Sequence, residues 1–186
     1  TGGDPTDPAF RELLVRWFQW GAFCPVMRLH GDREPHTEPT RKDGSKALFT
    51  GADNEVWSFG EEAYPILTNY MALREIMRDY VRELMKQAHE DGSPVMRAMF
   101  YEFPEDKKCW ELKDQYMFGP DLLVAPVMAP GATSRKVYLP EGCTWTCMRD
   151  GAVLEGGQTV EAAAPLSCIP VYLRNGAHAD WVGKNA

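Results

Sequence analysis

The hydrophobic period of this 186-residue chain changes once, near Gly92, and that change constrains its fold more than any other feature. From Glu61 to Asp91 the residues Ala63, Ile66, Leu67, Tyr70, Leu73, Met77, Tyr80, Val81, Leu84 and Ala88 keep one face apolar at helical spacing, which predicts a single long helix. Glu61 and Glu62 sit where a helix start favours negative charge, Pro65 falls early enough to be tolerated, and Asp91-Gly92 is a stop signal. After Pro94 short β-rich runs take over, at 95–103, 114–118, 121–128, 135–139, 144–149, 158–162 and 168–174, separated by Gly-Pro, Pro-Gly and Gly-Gly turn signals. Closely spaced short strands with such turns predict an antiparallel sandwich. The reading is therefore mixed α+β, with an α/β piece over 1–92 and an all-β piece over 93–186.

Within the first piece, Asp7-Pro8 offers a capping side chain followed by a proline at the first helical position, where its missing N–H costs nothing. Phe10, Leu13, Leu14, Trp17 and Phe18 then recur at helical spacing, and the helix should stop near Gly21. Pro25 to Leu29 reads as a buried strand ending in Arg28, His30 and Gly31. Helix, buried strand, polar tip and helix is the local grammar of a parallel α/β unit, in which ligands meet the carboxyl ends of strands. Residues 31–59, rich in Gly, Pro, Asp and Thr without a period, read as a long loop, functional or mobile.

A net charge of −7 and a pI near 5.1, with no basic face, exclude a nucleic acid or an anionic membrane surface as the expected partner and favour a neutral or cationic ligand. No apolar run approaches the roughly 20 residues needed to span a bilayer. The five cysteines, Cys24, Cys109, Cys143, Cys147 and Cys168, are odd in number and form no CxxC pair, so free thiols in a reducing, cytoplasmic setting are expected. Cys143 and Cys147 have no nearby His, and neither a metal nor a cofactor is expected. The opening Thr-Gly-Gly-Asp-Pro, without an initiator Met, reads as cut from a longer polypeptide.

An ordered series of motifs runs along nearly the whole chain: Arg16-Trp17-Phe18-Gln19, Gly21-Ala22-Phe23, Pro25, Arg28-Leu29-His30-Gly31, Pro94-Val95-Met96-Arg97, Glu102-Phe103-Pro104, Asp114-Gln115-Tyr116-Met117, Gly119, Leu122-Leu123-Val124-Ala125-Pro126-Val127, Tyr138-Leu139-Pro140 and Ile169-Pro170-Val171. Together they resemble glycoside hydrolase family 31, the retaining α-glucosidases and α-xylosidases. The resemblance implies the terminal part of a (β/α)8 barrel, with its eighth strand and long helix, followed by an antiparallel β-sandwich. It also implies an α-linked glucoside or xyloside as ligand and the remainder of the parent chain as partner. The family's two catalytic aspartates lie on earlier strands, so no catalytic residue is assigned here and the chain alone should be inactive. It should also expose an apolar surface where the other strands are missing, inviting association.

Retaining hydrolysis needs two carboxyl groups about 5–5.5 Å apart across the sugar. Asp4, Asp32, Glu34, Glu102 and Asp114 are available, but none has a context that sets it opposite a second carboxylate, and Asp4 reads as a turn residue before the first helix. The resemblance carries over His30, which in the family hydrogen-bonds a hydroxyl of the sugar whose bond is cleaved; a neutral imidazole both donates and accepts, as a hydroxyl does. Arg28 either supports the pocket by pairing with a carboxylate or contacts sugar, and Gly31 permits the sharp exit. Phe23, Trp57 and Phe59 either stack on sugar C–H faces or anchor the loop to the core. His36, Glu38 and Arg41 either line a subsite or are solvated, whereas His89 and His178 read as surface residues.

A carbohydrate-binding sandwich using Tyr101, Trp110, Trp145 and Trp181, or a purely structural one, is the alternative reading of 95–186. Against the family pattern, 31–59 looks long, Asp79 replaces a common proline and implies a straighter helix, and Cys147, Arg149 and Ser167 alter turn positions.

Overall fold

A computed structural model describes residues 3–30, 33–47 and 50–185. Helix α1 spans Pro8–Ala22, and its start is as the sequence dictates: Asp7 takes the capping position and its carboxylate accepts from the Ala9 N–H at 2.9 Å. Leu14, Val15, Phe18 and Ala22 form its buried stripe.

The long amphipathic stretch is two helices, α2 (Ala63–Ile76) and α3 (Arg78–Glu90). The apolar stripe runs through both, with Leu67, Tyr70, Leu73, Met77, Val81 and Leu84 buried, but the backbone leaves helical geometry at Met77, where ψ is 1°. The expected single helix is thus corrected to two, although the Met77 N–H still donates to Leu73 and the Val81 N–H to Met77 across the break. Asp79 lies in the first turn of α3, where an acidic side chain complements the positive helix end.

Residues 25–29 form no strand. A strand exists only through its neighbours, and no described residue pairs with this segment. Val26 is 73% exposed, while Met27 and Leu29 lean on the core around α1. The expected structureless loop is corrected as well. Strands β1 (Arg33–Thr37) and β2 (Thr50–Ala52) pair antiparallel, and a 3-10 turn follows over Val56–Phe59. Arg33 is the reason the hairpin closes: its buried guanidinium donates to the Asp53 carbonyl and to Ser58 Oγ, and lies 4.7 Å from the centre of the Phe59 ring.

The second half holds β3 (Met96–Ala98), α4 (Met99–Glu102), β4 (Tyr116–Phe118), β5 (Leu122–Val124), β6 (Ser134–Leu139), β7 (Thr144–Cys147), β8 (Val153–Glu155), β9 (Gln158–Ala163) and β10 (Val171–Arg174). One six-stranded sheet has the order β3-β4-β5-β10-β7-β8, and β6 and β9 make a separate ribbon; every pairing is antiparallel. The run expected as one strand over 95–103 turns helical at Met99, because Met99 and Phe103, four residues apart, both point inward. Strand β8 is too short, and its ends too exposed, to announce itself in the sequence.

Alternation along the strands builds two cores. Phe118, Leu122, Val124, Val171 and Leu173 face the helices, whereas Met117, Leu123 and Tyr172 face the β6–β9 ribbon together with Trp145. Helices, sheet and ribbon are therefore three layers. Gly119, at φ 62°, lets α3 approach the sheet: a Cβ there would strike the Tyr80 hydroxyl and come within 2.9 Å of both Leu84 methyls. No helix among the described residues is long and apolar enough to cross a membrane.

Candidate functional site

Two anchored arginines hold α1 in place. Arg16 donates to the carbonyls of Ala132, Ala164, Pro165 and Cys168 at 2.9–3.2 Å, and Gln19 Nε2 donates to Leu166 at 2.7 Å, so the helix reads the loops beside β6 and β10. At the other end, Arg74 of α2 grips the turn that follows α1. Its Nη1 donates to Ala22 and its Nη2 to Pro25, both at 2.8 Å, while the Tyr116 hydroxyl of β4 donates to Phe23 at 2.8 Å. Three backbone carbonyls in four residues are thus held by side chains from two other elements. Burial raises the Tyr116 hydroxyl well above the ordinary tyrosine value, which keeps it a donor, and burial lowers Arg74 from its ordinary value.

The segment leaving this turn forms one wall of a groove of about 480 Å³. Arg28 and His30 line it, facing Trp17, Trp20 and Leu13 of α1. Trp17 and Trp20 meet edge to face at 5.2 Å, and Trp17 is 60% exposed. A second trough of about 550 Å³ shares these two rings and continues past Arg97, Lys113 and Asp114.

The structure brings Arg28 and His30 together, both exposed on the same groove. Phe23 is fully buried in the core, with its ring edge-on to Phe118 at 6.3 Å, so it faces away from the groove and does not offer a stacking face there. Trp57 is 62% exposed on the 3-10 turn and is not among the residues lining the groove; its neighbours Val56 and Phe59 are the ones that anchor that turn. Gly31 and Asp32, and the side chain of Glu34, lie outside the described residues. His36 is half-buried in β1, Glu38 is exposed, and Arg41 is turned into its own loop, donating to Lys46 at 2.8 Å.

The remaining acids are occupied. Asp4 accepts from the N–H and hydroxyl of Thr6 at 2.8 and 2.7 Å, bonds that lower its pKa, and it is a turn residue as expected. Glu102 is shared by Arg97 and Arg174, and Asp114 pairs with Arg135 at 2.7 Å. Among the described residues, no carboxylate lines the Arg28–His30 groove. His89 is exposed on the last turn of α3. His178, expected at the surface, is instead half-buried, stacked on Trp181 at 3.9 Å, with Nε2 3.1 Å from Asp121. Of the four aromatics considered for a binding face, Trp145 and Trp181 are buried and Tyr101 and Trp110 exposed.

A groove lined by aromatic and basic side chains, with no acid pair lining it among the described residues, thus sits beside an antiparallel β domain. Comparison with known proteins supplies the class, the closing part of a barrel domain joined to a β domain. The glycosyl hydrolases family 31 TIM-barrel domain profile matches residues 1–84, and the glycosyl hydrolase family 31 C-terminal domain profile matches residues 92–177. The chain belongs to glycoside hydrolase family 31.

It is 33% identical over 183 residues to an α-xylosidase of Saccharolobus solfataricus, a match covering 98% of this chain and 23% of that protein. It is 36% identical over 166 residues to α-glucosidase 2 of Bacillus thermoamyloliquefaciens, covering 89% and 19%. A crystal structure of a family 31 α-xylosidase from a soil metagenome, complexed with xylose, superposes with a TM-score of 0.89 at 53% identity, covering 98% of this chain and 27% of that one. The chain thus spans about a fifth to a quarter of the length of these relatives.

Proposed function

We propose that this chain is the closing sector of a retaining α-glycosidase that removes terminal α-xylosyl or α-glucosyl units, with α-xylosides preferred. His30 donates to and accepts from a hydroxyl of the sugar undergoing cleavage. Arg28 lines the same groove as a fixed positive charge, Phe23 supports the preceding turn from the core, and Trp57, exposed on the 3-10 turn over Val56–Phe59, offers an aromatic face to the sugar in the longer polypeptide. The carboxylate that attacks the anomeric carbon and the acid that protonates the leaving oxygen come from the rest of the polypeptide. The free thiols Cys24, Cys109, Cys143, Cys147 and Cys168 fit a reducing, cytoplasmic setting.

The observation that carries this reading is the anchored turn that precedes the tip. Arg74 and Tyr116 hold the backbone of residues 22–25, and the chain then presents Arg28 and His30 on one groove. Positioning of this kind is what a sugar pocket requires, since a displacement of about 1 Å at a reacting centre costs on the order of 100-fold in rate. The α-xylosidase preference is supported by the 53% identity to the xylose-bound enzyme.

The test is an assay on aryl α-xyloside and aryl α-glucoside. The chain alone should turn over neither. In the polypeptide extended upstream to the length of its relatives, His30→Ala should lower kcat/KM on the α-xyloside by roughly 100-fold or more, as the loss of a hydrogen bond made to the reacting sugar does. Robust turnover by the chain alone that a single carboxylate substitution abolishes, or an unchanged kcat/KM in His30→Ala, would refute the assignment.

A further inference from the structure

We propose a second carbohydrate site, on the surface of the β domain, where the outer face of the Trp110 ring, backed on its other face by Phe100, takes the C–H face of a pyranose unit in an α-linked oligosaccharide. The proposal rests on the glycosidase reading for its ligand class, but uses none of the residues of the Arg28–His30 groove.

Phe100 lies on α4 and Trp110 ends the 3-10 turn over Lys107–Trp110. Their rings are 4.8 Å apart and within 16° of parallel, yet they remain 41% and 60% exposed. Their neighbours Met99, Phe103 and Cys109 are buried in the ribbon-side core, so the outward rings are mounted on rigid structure. Trp110 is further locked, because its Nε1–H donates to the Pro104 carbonyl at 2.9 Å. That bond uses the only donor of the indole, leaving a ring held in one plane that offers its π face. Tyr101, next in sequence, is not part of the platform, since the Arg97 guanidinium sits 5.6 Å from its ring centre.

The size of the patch selects the occupant. Two partly exposed rings offer roughly 200 Å² of apolar surface, whereas a stable protein interface buries about 800 Å² on each side. A second copy of this chain or another folded partner would gain too little here. A pyranose matches the platform in width, its axial C–H groups suit an aromatic face, and exposed Glu105, Lys107 and Glu111 beside the rings in sequence offer polar groups for its hydroxyls. Pre-set rings bind with little loss of side-chain freedom. In a glycosidase such a site keeps oligosaccharide close to the enzyme between cleavage events.

The experiment titrates isomaltotriose into the 186-residue chain carrying His30→Ala and follows the indole N–H resonances, that of Trp110 being identified by its loss in Trp110→Ala. The expected result is a saturable shift at the Trp110 resonance with millimolar affinity, and none with mannitol, an acyclic polyol without a ring face. Isothermal titration calorimetry should report an affinity weakened at least about tenfold in Trp110→Ala, and Trp110→Phe, which keeps a ring, should fall between. Absence of a saturable shift, equal affinity in Trp110→Ala, or a change in sedimentation without a change in sugar affinity would overturn the proposal, the last by marking a contact between copies. In the extended polypeptide, Trp110→Ala should leave kcat on a soluble aryl glycoside unchanged, which separates failure of this site from failure of the His30 assignment.

Discussion

Replacing Arg74 by methionine should loosen the tip that carries Arg28 and His30 without emptying the space its stem fills. The substitution deletes two hydrogen bonds of 2.8 Å from a charged donor, one to the buried Ala22 and one to the partly exposed Pro25. Bonds to charged groups contribute about 1.5–3 kcal/mol each. Arg74 is half-buried and water can reach the Pro25 end, which places each bond at the lower limit and the pair at about 3 kcal/mol. In a domain of this size that is a fall in Tm of roughly 6–12 °C. Arg74→Lys retains one contact at most and should lose roughly half as much. Because Tyr116 holds the carbonyl between the two that Arg74 holds, Arg74→Met and Tyr116→Phe should couple by more than about 0.5 kcal/mol in a double-mutant cycle. Thermal and urea unfolding followed by circular dichroism give these values, and amide exchange over residues 26–30 should accelerate most. A Tm within about 2 °C of the parent, or strict additivity with Tyr116→Phe, would refute the staple.

Gly119→Ala should destabilise by about 2–4 kcal/mol, combining a left-handed backbone with a methyl driven into Tyr80 and Leu84, as urea unfolding would report. Arg16→Ala should cost about 3–5 kcal/mol by stranding the four carbonyls that Arg16 satisfies, and Arg16→Lys should recover less than half, because one ammonium cannot reach them all. Asp106 provides the pH test. Its partial burial works to raise the carboxyl pKa, but the Tyr138 hydroxyl at 2.7 Å and the N–H groups of Glu141 and Lys108 outweigh that, and the pKa lies below the ordinary value. A depressed folded pKa adds stability above the unfolded value and loses it as pH falls through the folded one. Stability should therefore decline below about pH 4, and Asp106→Asn should flatten that acid limb; an identical pH profile in the variant would count against the assignment.

What the sequence discloses is what depends on local spacing. The start of α1 is legible because Asp7 and Pro8 act within one turn, and β5 and β6 are legible as short runs bounded by turn signals, whereas the all-apolar Leu122-Leu123-Val124 does not disclose that its middle residue faces the opposite core. The hairpin of β1 and β2 is hidden because it closes on Arg33, a side chain that reaches Asp53 and Ser58 twenty residues and more away. The break at Met77 is hidden because the apolar stripe passes through it without a lapse. Residues 25–29 carry the apolar pattern of a strand and form none, since strand character belongs to a pair of segments and no described residue pairs with these.

The site divides along the same line. Arg28 and His30 are visible as a polar tip because polarity ending an apolar run is a local event. The device that fixes the tip is not visible, because Arg74 and Tyr116 recognise the backbone carbonyls of Ala22, Phe23 and Pro25, and every residue in any sequence carries such a carbonyl. Only the fold decides which carbonyls lie within 2.8 Å of a guanidinium. It follows that substitutions at residues 22, 23 and 25 that preserve the turn should leave the staple intact, whereas Arg74, 44 positions beyond His30, has no side chain of equal reach and planar geometry to replace it. The staple asks only for backbone at the turn before the tip, so what constrains Ala22 and Phe23 is their burial in the core, whereas what constrains Arg74 is the staple itself.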